Sequence, residues 1–198
     1  MQDGGAVDDA ALAACLGWLS APESVRYHRF VRPLRQRQFL LGRALLRRTL
    51  GQLLSLPPES IALTERDGLS PLLDYPGSTI GFSLSHSGSW VACAICAQSP
   101  LGLDIEMLDA QRDLSALAQQ AFDASERNWF AAQPAGARVA AFYYLWSRRE
   151  ARIKLASNSG STQPGFQFVL PHGSVSVVLC SAVAVDAHLV NDAFHSVP

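Results

Sequence analysis

The sequence predicts an α+β fold, because candidate helices and strands are mixed along the chain without a regular strand–helix–strand alternation. Leucines recur at helical spacing over residues 34–54, and a second long helix is expected at 138–155. Short runs of strand character lie between these helices, at 80–86, 90–97 and 101–106.

The first long helix is predicted to be amphipathic, with arginines between the leucines of its apolar face. Pro57–Pro58 closes this segment. Asp67–Gly68 and Ser70–Pro71 then predict turns in an irregular link. The leucines of the apolar face are Leu34, Leu41, Leu45, Leu46, Leu50 and Leu53.

Three short strands follow one another in the middle of the chain. The strands 80–86 and 90–97 are separated by the turn Ser87–Gly88–Ser89. A further turn, Gln98–Ser99–Pro100, leads into the strand 101–106, which ends in charged residues. The second half of the chain is expected to begin at this strand.

The second half combines helices with a strand-rich end. Asp123 and Glu126 form a capping pattern for a short helix, and the long helix Arg138–Leu155 follows. Ser, Gly and Pro residues predict a loop over Ser157–Pro164. The strands expected after it are Phe166–Leu170, Val175–Leu179 and Ala182–Val185.

Length and composition are those of an ordinary globular protein. The 198 residues are 48% hydrophobic and 17% charged, with a net charge of −1, which allows one good core or two small ones. No apolar run approaches the roughly 20 residues that span a bilayer, and the acidic start does not resemble a secretion signal. We therefore expect a cytoplasmic protein that makes no use of a membrane.

The four cysteines are scattered in mostly apolar surroundings, as buried free thiols are. Cys93 and Cys96 form a CxxC pattern, which is also found in redox pairs and zinc sites. On a strand, however, positions three apart face opposite sides. The pattern therefore favours two buried thiols that share no ligand.

Basic residues are concentrated in one segment. Residues 26–48 contain eight arginines, half of the basic residues of the chain, and no Asp or Glu. Most of these arginines are expected on a solvated helix face, and together they produce a positive field suited to phosphates or to an acidic protein surface. A nucleic-acid partner is not expected, because the pI is near 6.5 and no basic motif with interleaved aromatic residues occurs.

Asp104 and Glu106 stand two residues apart at the end of the strand 101–106. Side chains two apart leave the same face of a strand, so both carboxylates can reach one cation. Mg²⁺ favours one or two carboxylates together with phosphate oxygens and water. The pair predicts a magnesium site; the alternative is a solvent-facing pair of carboxylates.

Trp146, Glu150 and Lys154 are four residues apart and share one face of the second long helix. Lys154 is the only lysine of the chain, and all other basic residues are arginine. A lysine in such a chain indicates a place where a compact ammonium or a group that exchanges a proton is needed. The alternative is a surface ion pair between Glu150 and Lys154.

The polar segment Phe82-Ser-Leu-Ser-His-Ser-Gly88 lies between two strands. His86 is either a site residue or the cap of a turn. Ser85, His86 and Asp104 also suggest a serine hydrolase. That hypothesis lacks a GxSxG elbow, since Ser85 is followed directly by His86 instead of a sharp turn into a helix.

Three motifs together resemble the signature stretches of the 4'-phosphopantetheinyl transferases: SHSG at 85–88, GLDIE at 102–106 and WSRREARIK at 146–154. The arginine-rich FLLGRALLRR segment and Phe122–Glu126 fit the same order. The resemblance implies two similar α+β halves, 1–100 and 101–198, related by a pseudo-twofold axis. It also implies a monomer that binds coenzyme A in the cleft between the halves.

The same resemblance implies a role for each matching residue. The Mg²⁺ ligands would be Asp104, Glu106 and Glu150. The catalytic residues would be Glu150 as the base and Lys154 on the phosphate. Coenzyme A would be bound by a set of polar and basic residues, namely His86, Ser85, Arg26, Arg43 and Lys154.

The implied reaction moves phosphopantetheine from coenzyme A to a serine of an apo acyl or peptidyl carrier protein. Departures from the family pattern are Arg149 for a usual lysine, Ser83 for a usual asparagine, a Gly68–Pro71 segment without lysine, and an altered loop at 156–160. The sequence therefore leaves the choice of carrier protein open. A degenerate relative that binds coenzyme A or a carrier protein without transfer is the remaining alternative.

Overall fold

The computed structural model describes residues 1–66, 69–163 and 165–190, and it confirms the predicted α+β class. The turn predicted at Asp67–Gly68 and the loop end at Pro164 lie outside these residues. The helices are α1 (Asp9–Ala14), α2 (Ala21–Arg29), α3 (Pro33–Leu54), α4 (Leu114–Ala121), α5 (Ala124–Ala131) and α6 (Arg138–Ser159). The strands are β1 (Gln2–Asp3), β2 (Leu63–Thr64), β3 (Leu72–Leu73), β4 (Gly81–Ser87), β5 (Trp90–Cys96), β6 (Leu101–Met107), β7 (Phe166–Val169) and β8 (Val175–Ser181).

The described strands form two three-stranded antiparallel sheets and a small hairpin. The first sheet has the order β1-β5-β4, and the second has the order β6-β8-β7. In the first sheet, β4 and β5 pair from Gly81 with Cys96 to Ser87 with Trp90, so Gly88–Ser89 forms a two-residue turn. Gly88 has a φ of +55°, which favours glycine.

The edge strands β4 and β6 face each other where the two sheets meet. No backbone ladder joins them in the part of the chain that the structure describes. Three serine hydroxyls of β4 instead accept hydrogen bonds from backbone N–H groups of β6. The pairs are Ser83 with Leu103 at 2.9 Å, Ser85 with Ile105 at 3.2 Å and Ser87 with Met107 at 3.0 Å. We call this arrangement the serine seam.

Each long helix packs on a different sheet. On the first sheet, Leu46 and Leu50 of α3 pack with Phe82 of β4. On the second sheet, Ala151 and Leu155 of α6 pack with side chains of β8. Gly102 allows the close approach of α6, because a Cβ there would lie 1.9 Å from the Ala151 carbonyl oxygen.

Two sequence predictions near the end of the chain are wrong. The loop predicted from Ser157 begins later, because α6 continues to Ser159. Gly160 caps the helix with a φ of +67°, in the left-handed region. The strand predicted at Ala182–Val185 does not form. The chain bends after β8, and Ala187 and Leu189 pack on the face of the sheet instead of extending it.

The described residues contain no helix that is long and apolar enough to cross a membrane.

Candidate functional site

Lys154 and Asp104 meet where α6 packs on β6. Lys154 Nζ donates to Asp104 Oδ1 over 2.8 Å, to the Leu103 carbonyl oxygen over 2.9 Å and to Ser85 Oγ over 3.0 Å. Ser85 Oγ in turn donates to Asp104 Oδ1 over 3.0 Å. Asp104 is buried. The structure therefore brings together a helix residue and a strand residue that the sequence had singled out separately.

Glu106 lies two residues beyond Asp104 on β6. Ser87 Oγ donates to Glu106 Oε2 over 2.7 Å. Burial raises the pKa of Glu106 above its ordinary value. The hydrogen bond from Ser87 opposes this rise, and the negative charge of Asp104 adds to it. A nearby cation would favour ionised Glu106, because it would offset both the burial and the repulsion.

Glu150 lies on the helix face that the sequence predicted. It stands on α6 between Trp146 and Lys154, and Lys154 contacts Asp104, two residues before Glu106 on β6. Since side chains four apart are neighbours on a helix, Glu150 belongs to the face that meets these carboxylates. Within the described ranges, no partner of its carboxylate is found. The same residues contain no group of three or more His, Cys, Asp or Glu that could hold a metal ion.

The two carboxylates of β6 nevertheless fit a divalent cation. Asp104 Oδ2 is buried and has no hydrogen-bond partner among the described residues, so a cation would satisfy an oxygen that is otherwise unpaired. Glu106 adds a second oxygen donor from the same strand. One or two carboxylates are what Mg²⁺ usually takes from a protein. Glu150 as a third ligand stays a prediction.

His86 and Ser85 lie on opposite faces of β4, because neighbours on a strand alternate. On the α3 side, Arg35 Nη1 donates to His86 Nε2, and it also donates to Gln38 Oε1 over 2.7 Å. Loss of hydration and the nearby charges of Arg35 and Lys154 lower the pKa of His86 to about 4. The ring is therefore neutral at neutral pH.

Arg26 and Arg43, expected to contact the coenzyme, are tied into an ion-pair network. Arg26 lies 2.6 Å from Glu65, and Arg43 contacts both Glu65 and, over 3.0 Å, Glu23. Arg47 pairs with Glu23 over 2.5 Å. The expected solvated face is therefore wrong for Arg43 and Arg47, which are buried because acidic side chains from outside the arginine-rich segment reach them. A coenzyme contact by Arg26 or Arg43 stays a prediction.

The serine hydrolase hypothesis is not supported by the geometry. Ser85 is 5% exposed, and its hydroxyl is engaged by Asp104, Lys154 and the N–H group of Ile105. His86 turns to the other face of the strand, so it does not serve Ser85 as a base. A coenzyme contact by Ser85 also stays a prediction.

The two thiols of the CxxC pattern point apart, as predicted, but they are half-buried and not fully buried. Cys93 and Cys96 are free thiols on β5. Cys93 packs towards the core beneath α3, whereas Cys96 packs with the cluster on the other face. The two thiols therefore point apart.

Comparison with known protein families gives matches along most of the chain. The model described as 4'-phosphopantetheinyl transferase superfamily matches residues 100–192. The model described as 4'-phosphopantetheinyl transferase, N-terminal, matches residues 8–98. The two matches meet between β5 and β6.

Individual relatives carry the same description. The chain is 31% identical over 175 residues to 4'-phosphopantetheinyl transferase Sfp of Bacillus subtilis (strain 168), covering 81% of this chain and 72% of Sfp. It is 36% identical over 115 residues to gsp of Aneurinibacillus migulanus, and the match covers 58% of this chain and 46% of gsp. It is 40% identical over 120 residues to psf-1 of Bacillus pumilus, covering 60% and 49%. The matches thus span about half the length of gsp and psf-1.

Proposed function

The chain belongs to the 4'-phosphopantetheinyl transferase superfamily, and on that premise we propose that it transfers phosphopantetheine from coenzyme A to a serine of an apo acyl or peptidyl carrier protein. The observation that carries the proposal is the contact of Lys154 with Asp104, which brings the helix face of Trp146, Glu150 and Lys154 to the strand that carries Asp104 and Glu106. Carboxylates beside a lysine suit a reaction on a pyrophosphate, in which negative charge must be neutralised.

The carboxylates would hold the metal that this chemistry uses. Mg²⁺, when bound by Asp104 and Glu106 with Glu150 as the third ligand, supplies positive charge next to the pyrophosphate of coenzyme A. Lys154 adds a compact ammonium at the same place and stabilises the charge that develops on the phosphate. Its contact with Asp104 fixes the position of that ammonium.

Glu150 is the proposed base of the reaction. The serine oxygen of the carrier protein forms a bond to phosphorus, the P–O bond to the leaving group breaks, and 3',5'-ADP departs. Glu150 accepts the proton of the serine hydroxyl on the carboxylate oxygen that would not bind the metal, which requires that no protein group occupies that oxygen. The lack of a partner for Glu150 among the described residues supports this role.

The proposed site for the 3'-phosphate of coenzyme A lies at His86. Arg35 contacts the His86 ring, so a phosphate placed there would meet a fixed guanidinium and a ring that it converts to the protonated form. This would add Arg35 to the residues that the sequence suggested for coenzyme binding.

The proposed subtype is the single-chain, two-half transferase, acting as a monomer on acyl or peptidyl carriers. The halves would divide near residue 100, because each side of that point contributes one 22-residue helix and one three-stranded sheet. The coenzyme would bind in a cleft at the serine seam, between halves related by a pseudo-twofold axis.

Intact-mass spectrometry tests the proposal. An apo carrier protein incubated with this protein, coenzyme A and Mg²⁺ is expected to gain one phosphopantetheine arm, and EDTA is expected to prevent the gain. Coenzyme binding without transfer to any of several carriers would indicate the degenerate relative instead.

A further inference from the structure

The serine seam treats its three serines differently. All three hydroxyls accept a backbone N–H group of β6. Ser85 and Ser87 each donate to the carboxylate that lies 19 residues later in the chain, Asp104 and Glu106 respectively. The Ser83 hydroxyl donates to no carboxylate among the described residues. The seam therefore contains two serines that touch carboxylates and one that serves only the backbone.

The hydrogen bonds of Ser87 fix the direction in which its hydroxyl points. The Met107 N–H group can only donate, so Ser87 Oγ accepts from it over 3.0 Å. The single hydroxyl hydrogen is then free to donate to Glu106 Oε2, over 2.7 Å. Hydrogen bonds to a charged acceptor are short and strong, and this one restricts the rotation of the Glu106 carboxylate.

The backbone of Ser87 is itself held on two sides. Ser87 pairs with Trp90 at the last position of the β4–β5 ladder. The next residue, Gly88, accepts a hydrogen bond from Gln38 Nε2 of α3 over 2.7 Å. The hydroxyl is thus carried by a turn that is anchored to both a strand and a helix.

We propose that Ser87 is a positioning residue for the metal site, holding the Glu106 carboxylate beside Asp104 so that the pair is arranged before a divalent cation binds. The inference rests on the proposed function, in which Glu106 is a metal ligand. Replacing a residue that orients a metal ligand weakens metal binding, because the ligand must then be arranged when the metal binds.

Mn²⁺ binding to the full chain in the presence of coenzyme A tests the inference, with free Mn²⁺ measured by electron paramagnetic resonance. Ser87→Ala is expected to weaken Mn²⁺ binding about 10-fold. Ser87→Thr keeps the hydroxyl and is expected to restore most of the affinity. Ser83→Ala is the matched control, because it removes an equivalent acceptor from the seam without touching a carboxylate. Ser83→Ala should lose at least as much stability in EDTA as Ser87→Ala, because the N–H group of Leu103 that it leaves unpaired is buried and that of Met107 is exposed, yet only Ser87→Ala should lose Mn²⁺ affinity.

Glu106→Gln separates the failure of the inference from the failure of the proposed function. If Glu106→Gln loses Mn²⁺ binding while Ser87→Ala binds as tightly as Ser83→Ala, the positioning role of Ser87 is wrong and the metal site stands. If Glu106→Gln binds Mn²⁺ like the wild type, or the wild type does not bind it, Glu106 is not a ligand and both are overturned.

Discussion

Lys154 Nζ lies 2.8 Å from Asp104 Oδ1 and joins α6 to β6 at the pair of carboxylates. The Asp104 side chain is only 6% exposed, whereas the Lys154 side chain is 30% exposed. The contact therefore pairs one buried charge with one that solvent can still reach. Because Lys154 is the only lysine of the chain, no other lysine could replace it.

Lys154→Met should destabilise the protein when no metal is present. Asp104 would lose its ion-pair partner in a buried place with one oxygen already unpaired, so we expect a loss of about 2–4 kcal/mol in the free energy of unfolding. Urea unfolding in EDTA measures this loss. The double variant with Asp104→Asn should recover at least half of it, and a single variant as stable as the wild type would show that the pair is not buried.

His86 should titrate with a midpoint near 4 in the free protein. The pKa of His86 in the folded protein lies below its value of about 6.5 in the unfolded chain. At a pH between these two values the unfolded chain binds more protons than the folded protein. The stability of the protein should therefore fall as the pH falls from about 6.5 to 4. Arg35→Gln should raise the midpoint, because it removes a positive charge from the ring. NMR of the ring proton, assigned with His86→Gln, gives the midpoint; a free-protein value above 6 would be inconsistent with the structure.

Binding of 3',5'-ADP should raise the same midpoint, because a phosphate beside His86 favours the protonated ring. The NMR titration is repeated with saturating nucleotide. An unchanged midpoint with nucleotide bound would place the phosphate elsewhere.

Glu23→Gln should break the ion-pair network that joins α2 to α3. Glu23 is completely buried and pairs with Arg43 and Arg47, so its neutralisation removes the carboxylate partner of buried Arg47 and leaves Arg43 with Glu65 alone, which should cost about 3 kcal/mol. Although burial opposes ionisation, hydrogen bonds from Arg47 and Ser20 lower the pKa of Glu23, so its stabilisation is lost as the pH falls through that pKa. The exposed Glu59→Gln is the control, and equal urea midpoints would contradict the network's importance.

Gly102→Ala should separate α6 from β6. The added Cβ would meet the backbone of Ala151 at 1.9 Å and of Leu155 at 2.5 Å, and neither can move without shifting the helix. We expect a loss of at least about 2 kcal/mol in stability. Gly136→Ala, where nothing lies within 4 Å, is the matched control. Thermal unfolding compares the two, and a Gly102 variant as stable as its control would show that the helix does not pack so closely.

The sequence predicts those parts of the fold that depend on local periodicity. The long helices α3 and α6 and the strands β4, β5 and β6 lie within a few residues of their predicted positions. The helix α2 was not predicted, although Ser20 and Glu23 form the capping box that would have indicated its start. The strand predicted at Ala182–Val185 does not form. Apolar residues are favoured both where a segment packs on the face of a sheet and where it pairs at a sheet edge, so their pattern alone does not distinguish the two.

The sequence predicts the site only where the residues share one element. Asp104 and Glu106 are two apart on a strand, so their common face follows from the strand period. The contacts of Arg35 with His86 and of Ser87 with Glu106 join different elements, 51 and 19 residues apart in the chain. No local pattern encodes those distances, and only the packing of α3, β4 and β6 brings the groups together.

The most direct test of the central claim is the rate at which an apo carrier protein gains mass with Glu150→Gln compared with the wild type. We expect the wild type to convert the carrier in the presence of coenzyme A and Mg²⁺, and Glu150→Gln to be slower by at least about 100-fold while still binding coenzyme A. The exposed Glu59→Gln should act like the wild type. A Glu150→Gln enzyme with the wild-type rate, or a wild-type chain that modifies no carrier, would contradict the account.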